Sequence, residues 1–326
     1  MSERNYTIDA FRLLGALSVV ALHVPYGDMN NSLVLGIRMW GRWAVPFFFL
    51  LSGYFFEQNY AKIGDMQFAK TIRNLLSIFI VANAIYIVSY FFTGEKNIYN
   101  LADFHNLDNG VAGHLWFIGS MVFAYVVFVY VLKKIDVKYY ILIALILYSG
   151  LLYCDAYSKL FYVKADHDLV RYIISVPFIL AGYYVSKFSV LEKYSNKYLY
   201  FALVFLGLLI QAAEFIGLYK LSGYGPHGQE FVFGSAIFAF GMFGLAFSIK
   251  NDVDNVFSSL GRKYSLLIYL YHPLVNVFLF AFWKPRELGG RFLYITNPVI
   301  SFLLCVSLFV LLDKVAPKVV KVLNGG

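Results

Sequence analysis

Apolar runs of about 20 residues recur along the whole chain, each long enough to cross the hydrocarbon core of a bilayer, with short polar breaks between them. The pattern predicts helices over 6–26, 37–57, 72–92, 115–132, 139–153, 171–187, 199–216, 231–249, 264–283 and 295–313. The expected fold is an all-α, polytopic integral membrane protein of about ten transmembrane helices. The fifth run is short, so counts of nine or eleven stay open. The first run has the outline of a signal peptide, with Arg4 and Arg12 ahead of the apolar Leu13 to Leu22. His23, Val24, Pro25 and Tyr26 follow it in place of a small-x-small cleavage site, and it reads as a retained helix.

Composition agrees with this reading. The chain of 326 residues is 60% hydrophobic and 14% charged, against about 25% charged in soluble domains. That excludes a soluble globular enzyme and a disordered chain, and two cysteines exclude a disulfide scaffold. The net charge of +8 is no nucleic-acid signature, because the Lys and Arg sit in short loops between apolar runs. Over ten helices, 17 of the 27 Lys and Arg fall on the side of the two termini and 10 on the other, so both termini are expected in the cytoplasm. Cys154 and Cys305 differ in depth by roughly half a bilayer, beyond disulfide reach. Linkers, repeats and low-complexity tracts are missing, so residues 1–326 read as a single transmembrane domain with no appended soluble domain.

Ionisable groups within spanning helices cost on the order of 3 kcal/mol each and mark pathways or sites. The first helix carries three. Asp9 and Arg12 are spaced i,i+3 and can pair on one face. Arg12 and His23, 11 residues apart, share a face about 16 Å apart along the axis. A snorkelling Arg and an interfacial His would leave the same trace.

Further motifs follow in order. Trp43-Ala-Val-Pro46 leads to Ser52-Gly53 in the second helix, Lys70-x-x-Arg73 opens the third, and Gly113-His114-Leu-Trp116 opens the fourth. Pro177-Phe-x-x-x-Gly182-Tyr183 lies in the sixth, and Gly261-Arg-Lys-Tyr-Ser265 runs on to Tyr269-Leu-Tyr-His272-Pro273 in the ninth. In this order and spacing the chain resembles the membrane acyltransferase family 3 over residues 6 to 313, the Arg12 to His23 spacing being the family's first-helix signature. The resemblance implies an integral enzyme that moves an acyl group, usually acetyl, from cytoplasmic acetyl-CoA or another acyl-CoA to a hydroxyl of an extracytoplasmic carbohydrate. It implies the stand-alone type, in the cytoplasmic membrane of a bacterium. Lys70 departs from the arginine common among relatives, and an ammonium meets phosphate only as a point charge.

With that resemblance, His23 is the candidate general base, or a transient acyl carrier, because imidazole titrates near neutral pH. Arg12, Lys70 and Arg73 are the candidate cations for the phosphates of CoA, although the positive-inside bias alone also explains the latter two. Glu214 lies at a depth similar to His23 and would either orient its imidazole or form a structural ion pair. His114 and Trp116 would meet a sugar or belong to an interfacial aromatic belt. His272 precedes Pro273 and would either pack at the kink or serve the substrate. Ser52 with Gly53 reads as close helix packing. His105, His167 and His227 lack metal-ligand spacing, so neither a metal nor a redox cofactor is expected. The loop from Ser222 to Gly228 reads as an outer connection. Two rivals stand beside the enzyme: a transporter or flippase for a small molecule or lipid-linked sugar, and a non-catalytic membrane sensor or binding module.

Overall fold

The computed structural model describes residues 5–24, 32–93, 110–164, 167–223, 230–283 and 291–325. Among them the regular structure is helical throughout, and each of the ten predicted segments overlaps a helix. The main helices are α1 (Tyr6–His23), α2 (Ser32–Gly41), α3 (Ala44–Ile63), α4 (Asp65–Thr93), α5 (Trp116–Tyr130), α6 (Tyr140–Cys154), α7 (His167–Ile173), α8 (Ser175–Lys187), α9 (Lys197–Ser222), α10 (Phe233–Ser248), α11 (Val256–Trp283), α12 (Arg291–Val315) and α13 (Pro317–Leu323). By length and composition, 8 spans among the described residues can cross a membrane. The two remaining predicted segments, 231–249 and 264–283, fall on α10 and α11. Helix α10 has 16 residues, about 24 Å of rise against a core of about 30 Å. Helix α11 has 28 residues and carries Arg262, Lys263, His272, Pro273 and Asn276 along its length.

The chain packs as two compact units, residues 1–48 with 191–317 and residues 49–190 with 318–326. In the first unit, Asn5 caps α1: its Oδ1 accepts from the Thr7 N–H at 3.0 Å, and its Nδ2 donates to the Ala246 carbonyl at 3.1 Å, near the end of α10. Helix α9 starts at a cap on Asn196 and stops at Gly223, whose φ of 65° is the left-handed conformation that ends helices. Helices α9 and α10 meet backbone to backbone. A Cβ on Gly207, Gly234 or Gly241 would lie under 3.0 Å from the main chain of Phe238, Gln211 or Val204, respectively.

The second unit uses the same device reciprocally. A Cβ on Gly53 would strike the Ile179 carbonyl, and one on Gly182 the Leu50 carbonyl, so α3 and α8 touch through their backbones. Ser52-Gly53 therefore has the close-packing role its sequence suggests, and the Ser52 hydroxyl shares a 2.6 Å hydrogen bond with Tyr125. Both thiols are free, Cys305 buried and Cys154 partly exposed.

Candidate active site

Proline has no N–H, so Pro273 cannot close the helical turn onto the carbonyl four residues back, that of Tyr269. His272 supplies the missing donor. Its Nδ1 lies 2.8 Å from the Tyr269 carbonyl and 3.0 Å from that of Ile268, and two oxygens around one ring nitrogen require that nitrogen to carry the proton. In the neutral ring, Nε2 is then the basic nitrogen. The side chain is fully buried (0% exposed). Sequence reasoning left packing at the kink and service to substrate as alternatives, and the structure adds the neighbour that joins them. The His23 ring stands against His272 with centroids 5.4 Å apart and planes tilted by 41°. His23 is the last residue of α1 and exposed, while His272 is buried in α11. The two imidazoles are 249 positions apart in sequence, and no local pattern couples them.

The other end of α1 holds a charge cluster. The buried Asp9 carboxylate (4% exposed) pairs with Arg12 across one helical turn, Oδ1 to Nη1 at 3.4 Å, as the i,i+3 spacing predicts. Sequence reasoning missed its second partner, Arg262, whose Nη1 lies 3.7 Å from Asp9 Oδ2. The signal was Gly261. A Cβ there would collide with the Asp9 carbonyl, so α11 runs directly against α1 and delivers Arg262 beside Asp9. Arg262 also donates to Asp254 Oδ2 at 2.7 Å and lies over the Tyr6 ring. Nearby, Asp313 of α12 accepts from the Tyr264 hydroxyl at 2.7 Å and pairs with Lys263 at 3.5 Å. Helix α1 thus carries a guanidinium–carboxylate cluster near its start and an imidazole pair at its end, separated by about 16 Å of helix rise.

The remaining predicted residues are placed as follows. Glu214 caps α10 from outside: its two oxygens accept from the N–H groups of Phe233 at 3.0 Å and Gly234 at 2.7 Å. The N-cap residue is Val232, whose side chain makes no capping bond, and a carboxylate also suits the positive end of the helix dipole. These bonds give Glu214 a capping role beside the two readings of the sequence, orientation of His23 or an ion pair. Lys70 and Arg73 are exposed on the first turns of α4, on one face of the helix in the second unit. His114 and Trp116 flank the start of α5 but are buried, at 6% and 8% exposure. His114 meets Tyr86 edge-on at 5.1 Å, and Trp116 packs on Phe49. Both pack among other side chains of the second unit. His167 pairs with the buried Asp155. His105, His227 and the loop from 224 to 228 lie outside the described residues. Among the described residues, no group of three or more His, Cys, Asp and Glu is placed to hold a metal ion.

A family model described as an acyltransferase domain matches residues 5–313. Among curated proteins, an amino-acid racemase of Enterococcus faecalis is 30% identical over 163 residues, 48% of this chain and 22% of that protein. A serine/alanine racemase of Enterococcus gallinarum is 27% identical over 241 residues, 66% of this chain and 34% of its own length. A further amino-acid racemase of Enterococcus faecalis is 23% identical over 333 residues, covering 94% of this chain and 45% of that protein. The chain thus spans less than half the length of these relatives. No solved structure matches.

Proposed function

Because the chain belongs to acyltransferase family 3, we propose that it is an O-acyltransferase, most simply an O-acetyltransferase. In this reading it carries an acyl group from cytoplasmic acyl-CoA to a hydroxyl of an extracytoplasmic cell-surface glycan or glycolipid, within the cytoplasmic membrane of a bacterium. The observation that carries the reading is the meeting of His23 and His272 at one end of a helix whose other end holds Arg12. His23 takes the proton of the acceptor hydroxyl as its oxygen attacks the thioester carbonyl. The new C–O bond forms, the C–S bond breaks, and CoA leaves as the thiol with the proton returned to sulfur. His272, with Nδ1 committed to main-chain carbonyls, stands with its ring against that of His23. Arg12 meets the phosphates of the donor from the opposite end of α1.

The racemase names belong to proteins of which this chain matches at most 45%, and that activity is not carried over to it. Purified protein given labelled acetyl-CoA and a panel of acceptor glycans should transfer label to glycan. His23→Ala should lower kcat by roughly 10²–10⁴-fold and leave acetyl-CoA affinity within about twofold, because a base acts in the transition state more than in donor binding. Movement of a labelled solute across proteoliposomes with no covalent transfer would replace the enzyme with a transporter. Turnover near wild type in His23→Ala would remove that imidazole from the chemistry.

A further inference from the structure

The last carbonyls of an α-helix have no partner within the helix, and in apolar surroundings each needs one from elsewhere. At the end of α1 that need is met residue by residue. The Val20 carbonyl accepts from the Val24 N–H at 3.0 Å. The Leu22 carbonyl accepts from Arg38 Nη1 at 2.6 Å. The carbonyl of His23 itself accepts from Asn276 Nδ2 at 3.3 Å. Asn276 is 5% exposed, and the orientation of its amide is set by the His23 carbonyl, which can only accept and therefore takes Nδ2; the fully buried Ser301 hydroxyl of α12 donates to Oδ1 at 2.5 Å. With the nitrogen at the His23 carbonyl, the amide oxygen is the end that Ser301 holds in place.

Asn276 follows His272 by four residues, one turn along the same face of α11. A single helix face therefore presents an imidazole to the ring of His23 and an amide to its main chain. From this two-point contact we propose that Asn276, held in place by Ser301, is a positioning residue that keeps the His23 imidazole in register with His272. The proposal rests on the acyl-transfer reading for its catalytic consequence. The bond goes to the backbone and not to the ring, so it sets where the imidazole sits and leaves its basicity alone. Misplacing a catalytic group by about 1 Å can cost on the order of 10²-fold in rate.

The test compares three variants of the full chain. Asn276→Asp keeps the shape and the acceptor for Ser301 but removes the donor to His23; Asn276→Ala removes both; Ser301→Ala keeps the donor but releases the amide. The expected result is a fall in kcat of roughly ten- to a hundredfold for both Asn276 variants and a smaller fall for Ser301→Ala, in the range set by misplacement. KM for acetyl-CoA should stay within about twofold, and in Asn276→Ala and Ser301→Ala, which add no charge, the pH profile of kcat should keep its midpoint, since neither donor binding nor basicity is touched; Asn276→Asp brings a carboxylate beside the rings and is read on kcat and the modification rate alone. A second readout needs no turnover: the rate at which diethyl pyrocarbonate modifies His23, followed by peptide mass spectrometry, should change severalfold in the variants. If the Asn276 variants do not accumulate, Ser301→Ala decides alone. Unchanged kcat with an unchanged modification rate, or a lowered melting temperature with wild-type kcat in the folded fraction, overturns the proposal. Absence of acyl transfer in the wild type defeats the acyl-transfer reading instead, and the modification rates still decide whether Asn276 holds His23.

Discussion

At the scale of single residues, Pro273 and His272 act as one device, and replacing the proline separates their roles. Pro273→Ala returns an N–H to the Tyr269 carbonyl, which then competes with His272 Nδ1 for that acceptor. The expected outcome is a melting temperature at or above wild type with kcat lowered about tenfold, because the ring is no longer held in one tautomer and one orientation. Thermal melts and steady-state turnover on the same preparation check both halves. Glu214→Ala should behave in the opposite way, losing about 1 kcal/mol of stability with the α10 cap while kcat in the folded fraction is unchanged. A loss of turnover with unaltered stability would restore Glu214 to the chemistry. The contrast also shows what could be read from sequence. The pair Asp9 and Arg12 was legible because both members lie on one turn. The imidazole pair was not, since its members are distant in sequence and only packing unites them. The capping bonds of Glu214 were not legible, because backbone N–H groups leave no mark on a sequence.

At the scale of helices, apolar runs were the legible feature, since a lipid solvent demands continuous apolar stretches and leaves little else to decode. What the runs could not supply was which helix touches which. That information sits in glycines at backbone crossings, and Gly261 is the one that assembles the charge cluster. Gly261→Ala places a methyl against the Asp9 carbonyl, so α1 and α11 must separate. The expected cost is about 1–3 kcal/mol or more, in the range of overpacked cores. Activity should fall with it, because the same two helices carry His23 and His272. Gly217, where a Cβ meets nothing within 4 Å, is the control, and Gly217→Ala should leave melting temperature and turnover near wild type. Equal behaviour of the two variants would mean that the α1–α11 approach does not matter to the fold. The buried state of His114 and Trp116 was illegible for a related reason: a motif at a helix start has the same spacing whether its ring faces a neighbour or the lipid.

At the scale of the whole molecule, the 17 to 10 division of cations predicts which loops face the cytoplasm. In a chain with the partly exposed Cys154 replaced by serine, Asp168→Cys should react with an impermeant thiol reagent in intact cells, and Lys134→Cys should react only after the membrane is opened. The reverse pattern would invert the topology and place the imidazole pair toward the cytoplasm.

The bonds that hold His23 span 253 positions, from the first helix to the ninth predicted segment. A ribosome adding about 5–20 residues per second emits Asn276 roughly 13–50 s after His23. Throughout that interval α1 waits in or beside the translocation machinery with Asp9 lacking Arg262 and the His23 carbonyl lacking its amide. The two ends of α1 are therefore completed by the same later helix, α11. A nascent chain stalled before Asp254 would display an acidic and a basic group on an otherwise apolar helix, a surface of the kind that membrane quality control must either shield or remove.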